Sequence, residues 1–512
     1  MKLNYKRTIL VGFAFFLISA FWQAYDATIP VILTNKFGMS QTWSGVIMAL
    51  DNILAVFMLP LFGALSDKCV GNRFGKRTPF ITIGTIVAAI ALLGISFIDA
   101  AQLQNISEVS QIDDPAALEI IYDAQANSNL MTPEGDAFVL SNVFTKEQFV
   151  AIRSELDGRT NPDYTNYVAP ARQAYVAAAT KNNPTTLFIF VALLLVVLVA
   201  MATFRSPAVA LMPDVTIKPL RSKANAIINL MGTAGGILVL VLGMVFATSA
   251  VRNQLMNYTV YYFVISSLML GALAVFLLTV KEKKWSKQMQ EDSVKYGVEE
   301  QQSEAGEQRK LASAEKRSLI FILASIALWY FGYNAVTSKY AVYAGNILNM
   351  DYNTTLLLAQ AAAIIAYLPA GIVASKLGRK KTIMSGIVML TVAFAFASFM
   401  RAGSSALLMN FLFALAGIGW ATINVNSFPM VVEMCSGADI GKYTGFYYTA
   451  SMSAQIVTPM LSGMLMDRMG MTVLFPYAAV FAGMAFATMM VVRHGDAKPE
   501  PKKGIAALDA ED

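Results

Sequence analysis

Two stretches decide the fold: GALSDKCVGNRFGKR at residues 63–77 and GIVASKLGRKK at residues 371–381. Each closes an apolar run, turns at a glycine (Gly75, Gly378), and leaves a knot of Lys and Arg before the next apolar run begins. The same device at two distant places implies an internal repeat. A second pair agrees: one run ends in Asp214 with Lys223 nine residues later, and another ends in Glu433 with Lys442 nine residues later.

Outward from these loops the chain is mostly apolar. Of 512 residues 56% are hydrophobic and only 14% charged, at a mean hydropathy of +0.54, so lipid is the expected solvent. A membrane crossing needs roughly 20 apolar residues. Runs of that length, read against turns and charges, give spans near 8–34, 41–66, 80–99, 185–212, 222–248, 258–280, 317–346, 353–375, 382–400, 405–432, 442–465 and 472–493. The expected architecture is an all-α membrane protein of twelve transmembrane helices in two pseudo-symmetric six-helix halves.

The divisions follow: residues 1–99 and 185–280 as the first half, 100–184 as an external insert, 281–316 as a polar linker, 317–493 as the second half and 494–512 as a tail. The insert carries eleven acids against five bases. Two readings of it stand, a small helical cap or an acidic loop without fixed structure.

Bases gather in short loops at alternate span ends. Lys6, Arg7, Lys76, Arg77, Arg379 and Lys380 lie on one side, whereas the short loops opposite offer only Lys36, Arg252, Arg401 and Arg468. By the positive-inside rule both termini are expected in the cytoplasm and the insert outside, in a multi-pass protein of the plasma or inner membrane. The net charge of +6 is spread over these loops and forms no nucleic-acid-binding face. Two cysteines, Cys69 and Cys435, supply neither a disulfide framework nor a metal cluster, and no cofactor-binding motif occurs. No nucleophile and base set for an enzyme stands out either.

The paired loops resemble the signature of the major facilitator superfamily. The longer first loop, with FRSPAVALMPD at 204–214 and LRSKANAIINLMG at 220–232, is similar to the sucrose–proton symporter branch. The resemblance implies secondary transport of a sugar, by alternating access between two halves. The external insert departs from the compact loops of that family.

Charges inside spans cost roughly 2.5–3.5 kcal/mol each at a helix centre, so each is a functional candidate. They are Asp26, Asp51, Arg205 and Lys339, the last expected to snorkel to the outer interface. Asp26 shares a helical face with Trp22 and Gln23. An indole, an amide and a carboxylate together suit a sugar's apolar face and hydroxyl edge. Equal offsets from the repeated loops pair Asp26 with Asn334, Arg205 with Asn424 and Asp51 with Ala359, so the deep carboxylates are confined to the first half.

The expected ion-coupling set is therefore Asp26, Asp51 and Arg205, working on a proton or, through Asp51 and Asn52, on sodium. The only histidine, His494, lies beyond the last span. The expected substrate wall comprises Trp22, Gln23 and Asn229 from the first half, with Trp329, Tyr330, Tyr333, Asn334, Trp420, Asn424 and Gln455 from the second. Asp67, Arg77, Asp214, Lys223, Arg379, Glu433 and Lys442 are expected to latch the cytoplasmic gate. A membrane sugar sensor that binds without flux is the rival reading, and a sodium-coupled symporter of another glycoside is a second.

Overall fold

The computed structural model describes residues 3–69, 74–156, 159–217, 220–295, 312–432, 434 and 440–495. Among them run twelve helices of 18 to 31 residues. They are α1 (Tyr5–Asn35), α2 (Gln41–Lys68), α3 (Thr78–Asn105), α4 (Thr185–Val215), α5 (Arg221–Val245), α6 (Thr259–Thr279), α7 (Ser313–Tyr343), α8 (Tyr352–Leu377), α9 (Arg379–Ala397), α10 (Ala406–Val432), α11 (Ile440–Met469) and α12 (Leu474–Val491). Ten of them are long and apolar enough to cross a membrane by length and composition, and α8 and α11 pack among these. The chain is an all-α, multi-span membrane protein.

Packing repeats with the sequence. In the first bundle α1 lies on α5, α3 on α4 and α6, and α2 on α4; in the second, α7 lies on α11, α9 on α10 and α12, and α8 on α10. Each bundle has its own apolar core, one drawn from residues 11–280 and the other almost wholly from 319–492. The bundles meet where α2 packs on α11, α5 on α8 and α1 on α7. Two glycines permit the first of these contacts. A β-carbon on Gly45 would strike the Pro459 carbonyl, and one on Gly463 the Gln41 carbonyl.

The insert is folded and mostly helical, not an unstructured acidic loop. Helices Pro115–Gln125 and Ala169–Asn182 combine with shorter turns and two small hairpins, 129–131 with 137–139 and 155–156 with 159–160. Its core includes Val109, Leu118, Ile121, Leu140, Phe149, Tyr164 and Val176, all fully buried, and extends to Val251 and Leu255 beside α6. The acidic residues hid this core from a reading of net charge. The aliphatic and aromatic residues between them suffice to close it.

Most of the described inter-bundle hydrogen bonds gather at the insert end. The Asp467 carboxylate of α11 accepts from the N–H groups of Gln41 and Thr42, both at 2.8 Å, and from the Thr42 hydroxyl. Lys339 of α7 donates to the Gln41 carbonyl at 2.6 Å. This corrects the expectation that Lys339 snorkels: the side chain is fully buried between the bundles. Across the junction, Ser249 donates to Asp351 at 2.6 Å, and the hydroxyls of Thr248 and Tyr352 lie 2.8 Å apart.

Because the insert owns a core, replacing residues 106–183 by a short flexible linker is expected to leave the twelve helices assembled but less stable. Monodisperse purification and helical circular dichroism check this. Failure of the shortened chain to enter the membrane would show that the bundles need the insert to fold.

Candidate functional site

At mid-depth α1 carries Trp22, Gln23 and Asp26. Asp26 is exposed, although its neighbours Tyr25 and Ala27 are buried, so a water-accessible cleft reaches this turn of the helix. The Arg205 guanidinium of α4 lies 5.8 Å from the Trp22 ring centroid, in cation–π range. The Trp22 indole N–H is buried and has no hydrogen-bond partner. Asp51 of α2 accepts from the backbone and side chain of Asn52, at 2.6 and 2.8 Å. Arg205 attracts Asp51, and Asp51 repels Asp26. The three expected ion-coupling groups therefore share one electrostatic neighbourhood, in which Arg205 acts on Asp51.

Gln23 faces the other bundle. Gln360 of α8 donates to the Gln23 carbonyl oxygen at 2.5 Å, beside Gly236 of α5. Asn229 is exposed on α5. Sequence reasoning missed Gln360, although it is a lone polar residue within the apolar stretch LLLAQAAAIIA.

The second bundle supplies an aromatic wall. Tyr333 stacks on Trp420 at 3.8 Å and 4° between planes, and Tyr330 meets the same indole edge-on at 5.2 Å and 87°. Such pairs contribute about 0.5–1.5 kcal/mol beyond their buried area and hold the rings in one orientation. Asn424 lies one turn beyond Trp420 and close to the Tyr367 hydroxyl of α8. The Asn334 amide nitrogen is buried without a partner, and Gln455 is half-buried on α11. Trp329 stands apart, only 1% exposed in the apolar core of the second bundle, so it does not face the cleft in this conformation.

The expected latch residues form a network within the first bundle. Arg77 donates to Asp214 at 2.8 Å and to Asp67 and Ser66, and Lys76 lies 3.5 Å from Asp214. The described side-chain partners of Arg77 and Lys76 in this conformation belong to the first bundle. Glu433 lies outside the described residues, as do the side chains of Lys223 and Lys442. Arg379 begins α9, and its neighbour Lys380 donates to the Met490 and Val492 carbonyls at the end of α12.

Glu282 completes the network and was not expected. It begins the linker helix Glu282–Lys295, is 2% exposed, and accepts from the N–H groups of Lys76, Arg77 and Thr78 at 2.7–2.9 Å and from the Thr78 hydroxyl at 2.7 Å. One carboxylate thus caps the start of α3, where the helix dipole favours negative charge. Gly75 has φ +129°, and a β-carbon there would land on that carboxylate.

A family model for the Major Facilitator Superfamily matches residues 173–366 and 352–509, well over half the chain. The chain belongs to the major facilitator superfamily. It is a multi-span membrane protein of that fold. An MFS-type transporter of Metarhizium rileyi is 27% identical over 142 residues, 28% of this chain and 29% of that protein. A sucrose transport protein of Arabidopsis thaliana is 28% identical over 75 residues, 15% of this chain and 14% of the relative. The chain therefore aligns with less than a third of these curated relatives. Solved structures are similar in fold alone. A D-xylose-proton symporter covers 96% of this chain and 99% of its own at 15% identity and TM-score 0.57; a bacterial homologue of the iron transporter ferroportin, in an inward-facing state, covers the same shares at 12% and 0.60.

Two expectations follow. Gly75→Ala forces a strained φ and displaces Glu282, at about 1–3 kcal/mol. Its thermal midpoint is expected to fall together with that of Glu282→Gln, and turnover to fall more than substrate affinity; an unchanged midpoint would contradict the cap.

The second concerns Asp351, just before α8. Burial raises its carboxyl pKa, but the Ser249 and Thr354 hydroxyls and Asn353 outweigh burial and hold it below the usual range. Its contribution to closure is then present above about pH 3.9, the ordinary carboxyl value, and lost as pH falls through the lowered one. The distance between spin labels at Arg252 and Met350 is expected to stay constant from about pH 8 to 5. Lengthening within that window would assign the clasp to another group.

Proposed function

We propose that this chain is an ion-coupled secondary symporter that takes a disaccharide such as sucrose or maltose through the cell membrane by alternating access, with the proton as coupling ion. All twelve long helices span the bilayer as two six-helix halves, the termini and linker are cytoplasmic, and the insert is external. The conformation then reads as inward-facing, because the halves are fastened at the insert end.

The proposal is carried by two surfaces, the exposed carboxylate of Asp26 on the first bundle and the stacked Tyr333 and Trp420, with Asn424, on the second. Ring faces of a sugar suit the aromatic wall, while Gln23, Gln360, Asn334, Asn424 and Gln455 offer amides to its hydroxyls. Trp22 and Asn229 extend the first-half surface; Trp329 joins only if α7 turns during the cycle. Asp26 takes the proton, and Asp51 with Arg205 forms the charge pair against which it works. Asp67, Arg77, Asp214 and Glu282 keep the first-half loop rigid at the cytoplasmic gate, and Lys223, Arg379, Glu433 and Lys442 are proposed for its closing contacts. The partial match to a sucrose transport protein supports a sugar as the substrate class. A sensor would bind sugar without flux.

Asp26→Asn keeps hydrogen bonding but carries no proton. In proteoliposomes it is expected to lose accumulation of labelled sugar under a proton gradient while retaining exchange of bound sugar. Normal accumulation by this variant would remove Asp26 from the mechanism and shift coupling to Asp51. Accumulation driven only by an imposed sodium gradient would overturn the proton.

A further inference from the structure

A second cavity, of about 130 Å³, lies at the insert end, far along the bundles from Asp26. Three parts of the chain build it. The first bundle contributes Asn35 and Gln41, the second Asn346 and Asp467, and the insert Thr165 and Gln173 as a roof. The roof is fastened on both sides: Gln173 donates to the Met39 carbonyl at 3.1 Å, and Met471 of the second bundle donates its N–H to the Pro133 carbonyl at 2.7 Å. Glu134 of the insert also lies 3.4 Å from Arg401.

The lining shows what the space would accept. Gln41 is 3% exposed, yet neither its amide oxygen nor its amide nitrogen has a hydrogen-bond partner. An amide left bare in a protein interior is costly, so the cavity calls for an occupant that both donates and accepts. The charges at the walls are already engaged. Asp467 accepts three hydrogen bonds from residues 41 and 42, and Arg172 donates to the carbonyls of Val109, Gln111 and Ile112. What remains is largely uncharged: amide and hydroxyl groups beside the apolar side chains of Met131, Leu255, Met466 and Met471, with the Arg172 Nε buried and unpartnered. The volume equals about four waters.

We propose that this cavity is an external binding site for a small neutral polyhydroxylated molecule, of glycerol to pentitol size, distinct from the central cleft. Its walls come together only while Asp467 holds the start of α2 and the insert rests on the second bundle. The bound molecule therefore favours the closed insert end, and at ten times its dissociation constant it multiplies the ratio of closed to open by about elevenfold.

Isothermal titration of the purified full chain with xylitol and with glycerol tests this. One saturable site is expected, weakened at least tenfold in Gln41→Leu and in Asn346→Leu, which lie on opposite walls. If Gln41→Leu does not fold, Asn346→Leu still decides. Saturable binding of equal strength in the variants would place the probe in the central cleft and overturn the proposal. Heats without saturation in the parent chain would mean that the cavity holds water only, and would overturn it equally. Neither outcome touches the role of Asp26, which is read from gradient-driven flux.

Discussion

The first turn of a helix leaves backbone N–H groups without partners inside the helix, and burial makes an outside partner necessary. At α2 part of that need is met by the other bundle: Asp467 of α11 accepts the N–H groups of Gln41 and Thr42. The same carboxylate favours the buried Lys339, which anchors on the Gln41 carbonyl. Gly45 and Gly463 bring the two helices close enough for this to happen. Separating the bundles here would strip a helix start, a carboxylate and a lysine of their partners together, so closure at this end is all-or-none over a few residues. At α8, the pseudo-symmetric counterpart of α2, the cap is local and comes from Asp351, and Ser249 joins it from across the junction. Two related positions thus use one chemistry with the acceptor on the second bundle both times.

At the opposite end the organising group is again a carboxylate on a helix start, but it acts inside one bundle. Glu282 links the linker helix to α3, and Arg77 holds Asp67 of α2 and Asp214 of α4. Arg7 of α1 adds hydrogen bonds to the Val215 and Trp285 carbonyls, both at 2.7 Å, and lies over the Trp285 ring. Four helix ends and the linker therefore move as one body. A rigid half of this kind is what a rocking transport cycle requires, because motion is then confined to the contacts between halves.

Between these ends the two bundles differ in chemistry although they repeat in fold. The first carries Asp26, Asp51 and Arg205 at depths where the second carries aromatic rings and amides. Charges inside a bilayer are costly to retain. Lys339 of α7 is spent on the junction at the insert end, so Asp26, Asp51 and Arg205 give the first half a charged face and leave the second a neutral stacking face.

The repeated loops, the apolar runs and the placement of basic residues were enough to read the helix order and the pseudo-symmetry, because lipid imposes length and polarity on each crossing helix. The deep charged residues were equally legible, since each is an exception to a strong rule. Pairing was not. Arg205 works on Asp51 because α2 packs on α4, and Trp329 is buried because of the face α7 turns toward α12; both are facts of helix rotation that offsets along the chain do not encode. The insert's core was hidden by its acidic composition, and the partners of Asp467 and Glu282 lie 426 and 206 residues away along the chain. A single carboxylate at a helix end looks the same in sequence whether it caps its own helix, a neighbour or the other half. Only the packed structure decides which backbone amides it meets.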